Sequence, residues 1–148
     1  MNKIIVKNRK AFHEYHVGDT YEAGISLIGS EVKAIREGKI NLMDSYCNIV
    51  EGECFLLQAH ISQYSHKGYS SHDVRRDRKL LLHKREILKI KKKLDSQGSS
   101  LIPLKIYWKD NYIKVEIALA KGKKLHDKRH DLAEKDAKRQ IERQMKRR

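Results

Sequence analysis

The sequence predicts a mainly β protein, a small β-barrel with flanking helices followed by a basic tail, and three observations lead to this prediction. Apolar and polar residues alternate with a period of two in the first half of the chain and again from residue 102, as in strands with one buried face. Two segments have helical spacing and recognisable ends. Beyond Gly122 apolar residues become sparse. We therefore assign residues 1–122 to one barrel domain and residues 123–148 to a tail that is disordered when free.

Strand signals are clear in the first half of the chain. Apolar residues alternate with polar or small ones over residues 22–27. Residues 46–50 and 54–57 flank Glu51-Gly52-Glu53, a short connection with a glycine where a hairpin turn needs a positive φ angle. These two segments are predicted to be adjacent strands.

The clearest hairpin lies near the end of the barrel domain. Residues 102–108 and 112–119 alternate on either side of a turn at Asp110-Asn111. In the second strand the apolar residues share one face, so Lys114 is predicted to be displayed on the other face.

Two helices are predicted between the strands. Ser30 is the expected N-cap of a short helix that ends at Gly38, with Glu31 in the first turn, where a carboxylate interacts favourably with the helix dipole. A longer helix is predicted over residues 78–97, because leucine and isoleucine recur at intervals of seven, and Gly98 should end it. Short strands with two such helices suit a closed or partly open barrel, of which the oligonucleotide-binding fold is a common example.

The net charge of +14 is concentrated in two segments. Residues 75–93 contain ten lysine or arginine residues against two acidic ones, and residues 121–148 contain twelve against five. Such a distribution favours a partner that carries phosphate groups and binding that is sensitive to salt. Seven tyrosines offer faces on which unpaired bases can stack. The alternative is a solvated basic helix and tail whose charge serves solubility.

The tail has too few apolar residues to form a core. Apolar residues nevertheless recur every four positions from Ala133 to Met145, and oppositely charged pairs such as Glu134 and Lys138 are spaced for one helical face. Each such pair is worth only about 0.2–0.5 kcal/mol, against a costly helix nucleus. We expect the tail to become helical when it docks on a partner.

Other classes of function have little support in the sequence. No apolar run is long enough to span a membrane, so the expected location is the cytoplasm. Cys47 and Cys54 do not form a disulfide framework or a metal-binding pattern, and we expect them to be buried or half-buried strand residues. The histidine pairs lack a third metal ligand, and no nucleotide-binding glycine motif occurs. We expect neither a metal nor a cofactor.

His126 beside Asp127 is the one arrangement that resembles a catalytic pair, because a carboxylate can orient a histidine that acts as a general base on RNA. The pair lies where the predicted tail begins, whereas such catalysis needs a fixed pocket. The sequence therefore favours a binding protein over an enzyme.

Five motifs occur in order along the chain. They are Asn8-Arg9-Lys10-Ala11, Tyr21-Glu22-Ala23-Gly24-Ile25, Gly29-Ser30-Glu31-Val32-Lys33, Arg78-Lys79-Leu80-Leu81-Leu82, and Ala120-Lys121-Gly122-Lys123-Lys124 followed by His126-Asp127-Lys128-Arg129. Together they closely resemble the SsrA-binding protein family, also called small protein B. The resemblance implies an oligonucleotide-binding barrel that binds the tRNA-like domain of transfer-messenger RNA (tmRNA, or SsrA RNA). It also implies delivery of that RNA to stalled ribosomes for trans-translation and rescue.

The resemblance also implies site residues. Glu22 matches a position on the family's RNA-binding side, where a carboxylate either accepts hydrogen bonds from base or ribose donors or holds a nearby basic residue in place. The predicted RNA-binding set is Arg9, Lys10, Glu22, Leu81, His83, Lys114, Lys121, Lys123 and Lys124.

By the same resemblance, the tail enters the small-subunit decoding centre and the empty mRNA channel as a helix. Its predicted functional residues are His126, Asp127, Lys128, Arg129, Met145 and Lys146. The implied partners are tmRNA, the ribosome with its small-subunit rRNA, and elongation factor Tu in the delivery complex. Val74 stands where the family usually has proline, which predicts a less rigid loop there. The alternative function is a general structured-RNA or ribosome-binding module without tagging activity.

Overall fold

A computed structural model of the chain describes residues 2–64, 72–123 and 125–146, and it confirms a mainly β protein with flanking helices. The strands within the described residues are β1 Asn2–Lys7, β2 Tyr15–Ile25, β3 Ile40–Asn41, β4 Tyr46–Val50, β5 Glu53–Leu57, β6 His60–Ile61, β7 Arg78–Leu81, β8 Ser100–Lys109 and β9 Tyr112–Gly122. The helices there are α1 Arg9–Glu14, α2 Gly29–Arg36, α3 Lys84–Gln97 and α4 Leu125–Lys146.

Six of the strands close into an antiparallel barrel. The large sheet has the order β1-β8-β4-β5-β7-β2-β9, and β9 also pairs with β8, which completes the ring. Strand β1 pairs with the second half of β8. The interior is apolar, since Ala23, Leu56, Leu80, Ile106 and Ile117 are at most 1% exposed. The outer face of the barrel is therefore the surface that can meet a partner.

Both hairpins that the sequence predicts are present. Strands β4 and β5 are paired, and the last pair before the turn is Val50 with Glu53. Between them, Glu51 and Gly52 have φ angles of 51° and 77°, as a type I′ turn requires. Strands β8 and β9 meet at Asp110, whose φ angle is 55°. Local alternation and turn residues were enough to predict these elements.

The long helix begins later than the sequence predicts. Residues 78–81 form strand β7, in which Arg78 and Leu80 are buried and alternate with exposed residues. Helix α3 starts after His83, its N-cap, and ends at Gly98, which has a φ angle of 61° as expected of a terminating glycine. The prediction of helix over residues 78–83 is wrong, because a leucine run fits a period of two as well as one of seven. A strand there is needed to join β5 to β2 in the barrel.

The short helix begins earlier than the sequence predicts. Its N-cap is Ile28, whose backbone N–H donates to the Glu31 side chain at 3.0 Å. The prediction of Ser30 as N-cap is wrong: Ser30 lies buried inside the first turn, with its hydroxyl 2.8 Å from Nδ1 of His72. Glu31 stands in the first turn as predicted, and Gly38 follows the helix with a φ angle of 75°.

A buried ion cluster ties α2 to β7. Glu31 and Arg78 are both fully buried, and Nε of Arg78 donates to Glu31 at 2.6 Å. Arg76 donates to the other carboxylate oxygen at 2.6 Å, and Arg78 also donates to three backbone carbonyls. Burial favours a raised pKa for Glu31, but the hydrogen bonds from Arg76, from the Ile28 N–H and from Arg78 outweigh burial and lower it. The cluster holds α2 and the residues that precede β7 against the barrel.

Cys47 and Cys54 are buried on β4 and β5, as the sequence predicts. Burial raises the pKa of Cys54 to about 11 and that of Cys47 well above its usual range. Both thiols therefore stay protonated near neutral pH and behave as small apolar core residues.

Candidate RNA interface

Four of the predicted RNA-binding residues line one groove on the outer face of the barrel. Glu22 on β2, Leu81 on β7, His83 before α3 and Lys114 on β9 border a concavity of about 600 Å³, which we call the central groove. These residues are distant in sequence. They come together because β7, β2 and β9 are neighbours in the sheet.

Gly24 lies in the middle of the central groove, opposite Leu81 on one side and Lys114 on the other. A Cβ added to Gly24 would lie 3.2 Å from Cβ of Leu81, so a larger residue would push the leucine away. Leu81 itself is 53% exposed. An exposed leucine beside a lysine offers an apolar surface for a base and a charge for a phosphate. The sequence prediction missed Gly24, although glycine inside a strand pattern often marks such a close approach.

Glu22 is held in place by two neighbours. It accepts hydrogen bonds from the hydroxyl of Tyr107 and, at 3.0 Å, from Nζ of Lys109. These hydrogen bonds keep the pKa of Glu22 below its usual value, and the one from Tyr107 has the larger effect. Burial, together with Glu22, raises the pKa of Tyr107. Of the two roles that the sequence left open for Glu22, this structure contains the second, in which the carboxylate positions a basic residue.

Lys114 supplies an uncommitted positive charge on the sheet side of the central groove, and Lys84 lines the groove from the start of α3. Nearby, Lys79 is paired with Glu53 and Lys109 with Glu22, each at 3.0 Å. Lys114 is half-buried and forms no ion pair within the described residues. A phosphate that enters the groove can therefore reach Lys114 without breaking an existing ion pair.

Helix α3 starts at the edge of the central groove. His83 is exposed, and its backbone N–H donates to the side chain of Glu86 at 3.2 Å. The helix then presents exposed cations that the sequence prediction did not name as site residues: Lys84, Arg85, Lys89, Lys91 and Lys92. The positive charge of residues 75–93 is thus divided, because Arg78 is buried in the ion cluster while the α3 cations face solvent.

Other predicted RNA-binding residues lie away from the central groove. The described ones that do not line it are Arg9, Lys10, Lys121 and Lys123. Lys121 is seven residues beyond Lys114 on β9, which is about 23 Å along a strand at about 3.3 Å per residue. Lys124 lies outside the described residues. The structure therefore divides the predicted set between two ends of the barrel.

Lys10 differs from Lys114 in its surroundings. Its ammonium group is 2.8 Å from a carboxylate oxygen of Asp44 and 3.9 Å from one of Glu14. The hydrogen bond to Asp44 raises the pKa of Lys10. A phosphate at this position has to compete with two carboxylates for the same cation.

Helix α4 follows the barrel and carries the predicted tail residues. Its backbone is helical from Leu125 to Lys146, the conformation that the sequence predicts for the docked tail. Arg129 is exposed. Leu132 on α4 and Phe12 on α1 line one shallow concavity, and each is about half exposed. The predicted tail residues whose side chains lie outside the described part of the structure are His126, Asp127, Lys128, Met145 and Lys146.

The described residues also bear on two other kinds of site. None of their helices has both the length and the apolar character that crossing a bilayer requires. In the same part of the chain, no three histidine, cysteine, aspartate or glutamate side chains converge as metal ligands.

Comparisons with known proteins agree with one another. The family model described as "SmpB protein" matches residues 5–147. A curated SsrA-binding protein from Clostridium tetani is 55% identical over 145 residues, which cover 98% of this chain and 93% of the relative. Another from Carboxydothermus hydrogenoformans is 52% identical over 142 residues, which cover 96% and 95%. A chain of a solved structure described as "tmRNA-SmpB: a journey to the center of the bacterial ribosome" matches with a TM-score of 0.68 and 44% identity, covering 81% of this chain and 85% of that one.

Proposed function

This chain belongs to the SmpB protein family, and from that premise we propose that it binds the tRNA-like domain of tmRNA and delivers it to stalled ribosomes for trans-translation and rescue. The curated relatives are named for binding SsrA RNA. The description of the matching solved structure names tmRNA, SmpB and the bacterial ribosome. The relatives match over more than nine-tenths of both chains, so the resemblance extends through barrel and tail.

The observation that carries the proposal at the level of residues is the central groove. Lys114 forms no ion pair within the described residues and contacts a phosphate there. Leu81, exposed over Gly24, packs against a base or ribose. Glu22 is ionised and fixed, and it keeps the ammonium group of Lys109 directed along the same face of the barrel. Phosphate contacts position the RNA, and the shape of the groove selects it.

The tail forms the second half of the proposal. Residues 123–148 are disordered in the free protein and form α4 on the ribosome, where they occupy the small-subunit decoding centre and the empty mRNA channel. All of the α4 side chains that the structure describes are exposed, so little packing supports the helix in isolation, and propensity alone rarely holds a helix in water. In the proposal, His126 and Asp127 contact rRNA and catalyse nothing. Elongation factor Tu accompanies the complex.

A binding titration tests the RNA half of the proposal. The full chain is titrated with the tRNA-like domain of tmRNA at two salt concentrations, with excess bulk tRNA as competitor. We expect the complex to survive competition. Lys114→Gln should weaken it and reduce the slope of log K against log salt by about 0.9. Lys7→Gln removes one exposed lysine on β1, outside the groove, and should leave the affinity almost unchanged.

The titration also discriminates against the second candidate function. A general structured-RNA or ribosome-binding module would be displaced equally by bulk tRNA. Equal displacement would therefore replace the tmRNA-specific proposal with the general one. Equal effects of Lys114→Gln and Lys7→Gln would instead remove the central groove from the binding site.

Deletion of residues 131–148 tests the tail half. The truncated protein should capture the RNA almost as well as the full chain, because the central groove lies entirely in the barrel and the start of α3. Peptide tagging on stalled ribosomes should be abolished. A truncated protein that supports normal tagging would overturn the two-part proposal.

A further inference from the structure

A second concavity adjoins the central groove. It shares Gly24, Leu81 and Lys114 with the groove and encloses about 290 Å³. Its other walls are mainly apolar or aromatic and include Leu27, Val32, Arg36, Trp108, Tyr112 and Ile113. We call it the aromatic pocket.

Two aromatic side chains give the aromatic pocket its character. Tyr112 is 70% exposed, so its ring forgoes most of the stabilisation that burial gives an aromatic side chain. The ring of Trp108 has the guanidinium carbon of Arg36 at 5.9 Å from its centroid, a cation–π contact. Exposed tyrosine rings and arginine planes beside tryptophan are the surfaces on which RNA-binding proteins hold bases that have left their stack.

The charge of the aromatic pocket favours a nucleotide over a peptide of mixed charge. Among the described residues, the charged ones that line it are Arg36 and Lys114, and none of the lining residues is acidic. Lys114 stands on the border with the central groove, where it can meet the phosphate that links a base in the pocket to the backbone in the groove. Asn111 adds an amide that can donate to and accept from a base edge.

We propose that the aromatic pocket holds one unstacked base of the RNA whose backbone lies in the central groove. The ring of Tyr112 stacks on the base, and Arg36 with Trp108 forms the opposite wall. This inference rests on the proposed function and adds to it a specific subsite for an extruded base.

The single tryptophan of the chain makes the inference directly testable. Trp108 is the only tryptophan in the sequence, so its emission reports on the aromatic pocket alone. The full chain is titrated with the tRNA-like domain of tmRNA, and capture of the RNA and Trp108 emission are measured in parallel. We expect emission to be quenched with the same midpoint as capture.

Substitutions separate stacking from charge. Tyr112→Ala should weaken binding roughly 5- to 150-fold, the effect of removing one base–aromatic stack, without changing the salt slope. Tyr112→Phe keeps the ring and should bind like the unmodified chain. Tyr46→Ala is the matched control, because Tyr46 is also an exposed strand tyrosine, at 46%, but lines neither the groove nor the pocket.

The outcomes distinguish this inference from the function on which it rests. If the RNA is captured while Trp108 emission stays constant and Tyr112→Ala binds normally, the pocket holds no base, and the proposed function still stands. If Tyr46→Ala weakens binding as much as Tyr112→Ala, the effect is not specific to the pocket and the inference is overturned. If the unmodified chain captures no RNA, the proposed function fails first.

Discussion

The buried ion cluster gives a prediction whose size can be worked out from the structure. Glu31→Gln removes the negative charge while keeping the shape of the side chain and one acceptor oxygen. Arg78, whose side chain is 0% exposed like that of Glu31, then loses its hydrogen-bonded counter-charge, and Arg76 loses the same partner. Removing one member of a buried ion pair costs about 3–5 kcal/mol. That is a large part of the about 5–15 kcal/mol that stabilises a typical domain.

Thermal unfolding followed by circular dichroism measures this cost. A domain of this size loses about 2–4 °C in Tm per kcal/mol, so Glu31→Gln should melt roughly 6–20 °C below the unmodified chain. Glu53→Gln is the control, since its pair with Lys79 has side chains 50% and 45% exposed. Such surface pairs contribute at most about 1 kcal/mol. If both variants melt alike, the backbone carbonyls around Arg78 hold it without Glu31, and the reasoning is refuted.

Acid should remove the same contribution. The pKa of Glu31 in the folded chain lies below the 4.5 of an unperturbed glutamate. The carboxylate therefore stabilises the fold above that value, and its contribution disappears as the pH falls through the lower folded value. The difference in Tm between the unmodified chain and Glu31→Gln should shrink below about pH 4.5. If the difference in Tm stays constant down to pH 3, the stability lost in Glu31→Gln does not come from the charge of Glu31.

Two smaller changes follow from single hydrogen bonds. Val74 occupies the second position of a turn in which the Arg76 N–H donates to the Asp73 carbonyl at 3.2 Å, and this position favours proline. Val74→Pro should therefore raise the free energy of unfolding, measured by denaturant titration, by about 0.4–1 kcal/mol. A loss of stability would contradict this description of the turn. Tyr107→Phe removes the hydroxyl that lowers the pKa of Glu22 most. NMR titration should therefore find a higher pKa for Glu22 in this variant than in the unmodified chain. An unchanged pKa would assign the lowering to Lys109 instead.

The strands and turns were predictable because their signals are local. Alternation over a few residues and a glycine at a positive φ angle are properties of one short segment. The helix predicted over residues 78–83 failed because the decisive fact is not local. Arg78 can be buried because Glu31, 47 residues earlier on α2, and three backbone carbonyls accept its hydrogen bonds. A basic residue in a leucine run otherwise reads as the exposed face of a helix.

The same distinction applies to the central groove. The family resemblance selected Glu22, Leu81, His83 and Lys114, and the closed barrel brings them together. It did not select Lys109. Lys109 on β8 pairs with Glu22 on β2, and whether two residues on such distant strands meet depends on the register of the strands across the sheet. Register is set by which faces are buried in the folded barrel. Cross-strand partners are therefore the part of a β-sheet site that sequence patterns leave open.

The fold divides the 33 lysine and arginine residues of the chain into cations that already have a carboxylate partner and cations that remain available for binding. Arg76 and Arg78 neutralise Glu31 inside the protein, and Lys79, Lys109 and others are paired on its surface. These cations release few counterions when RNA binds, because carboxylates already accompany them. The described cations that remain available to phosphates include Lys114, Arg9, Lys121 and the exposed lysines of α3. The salt dependence of binding should therefore be weaker than the number of lysine and arginine residues suggests, and in the proposed function the groove and its adjoining pocket select the RNA.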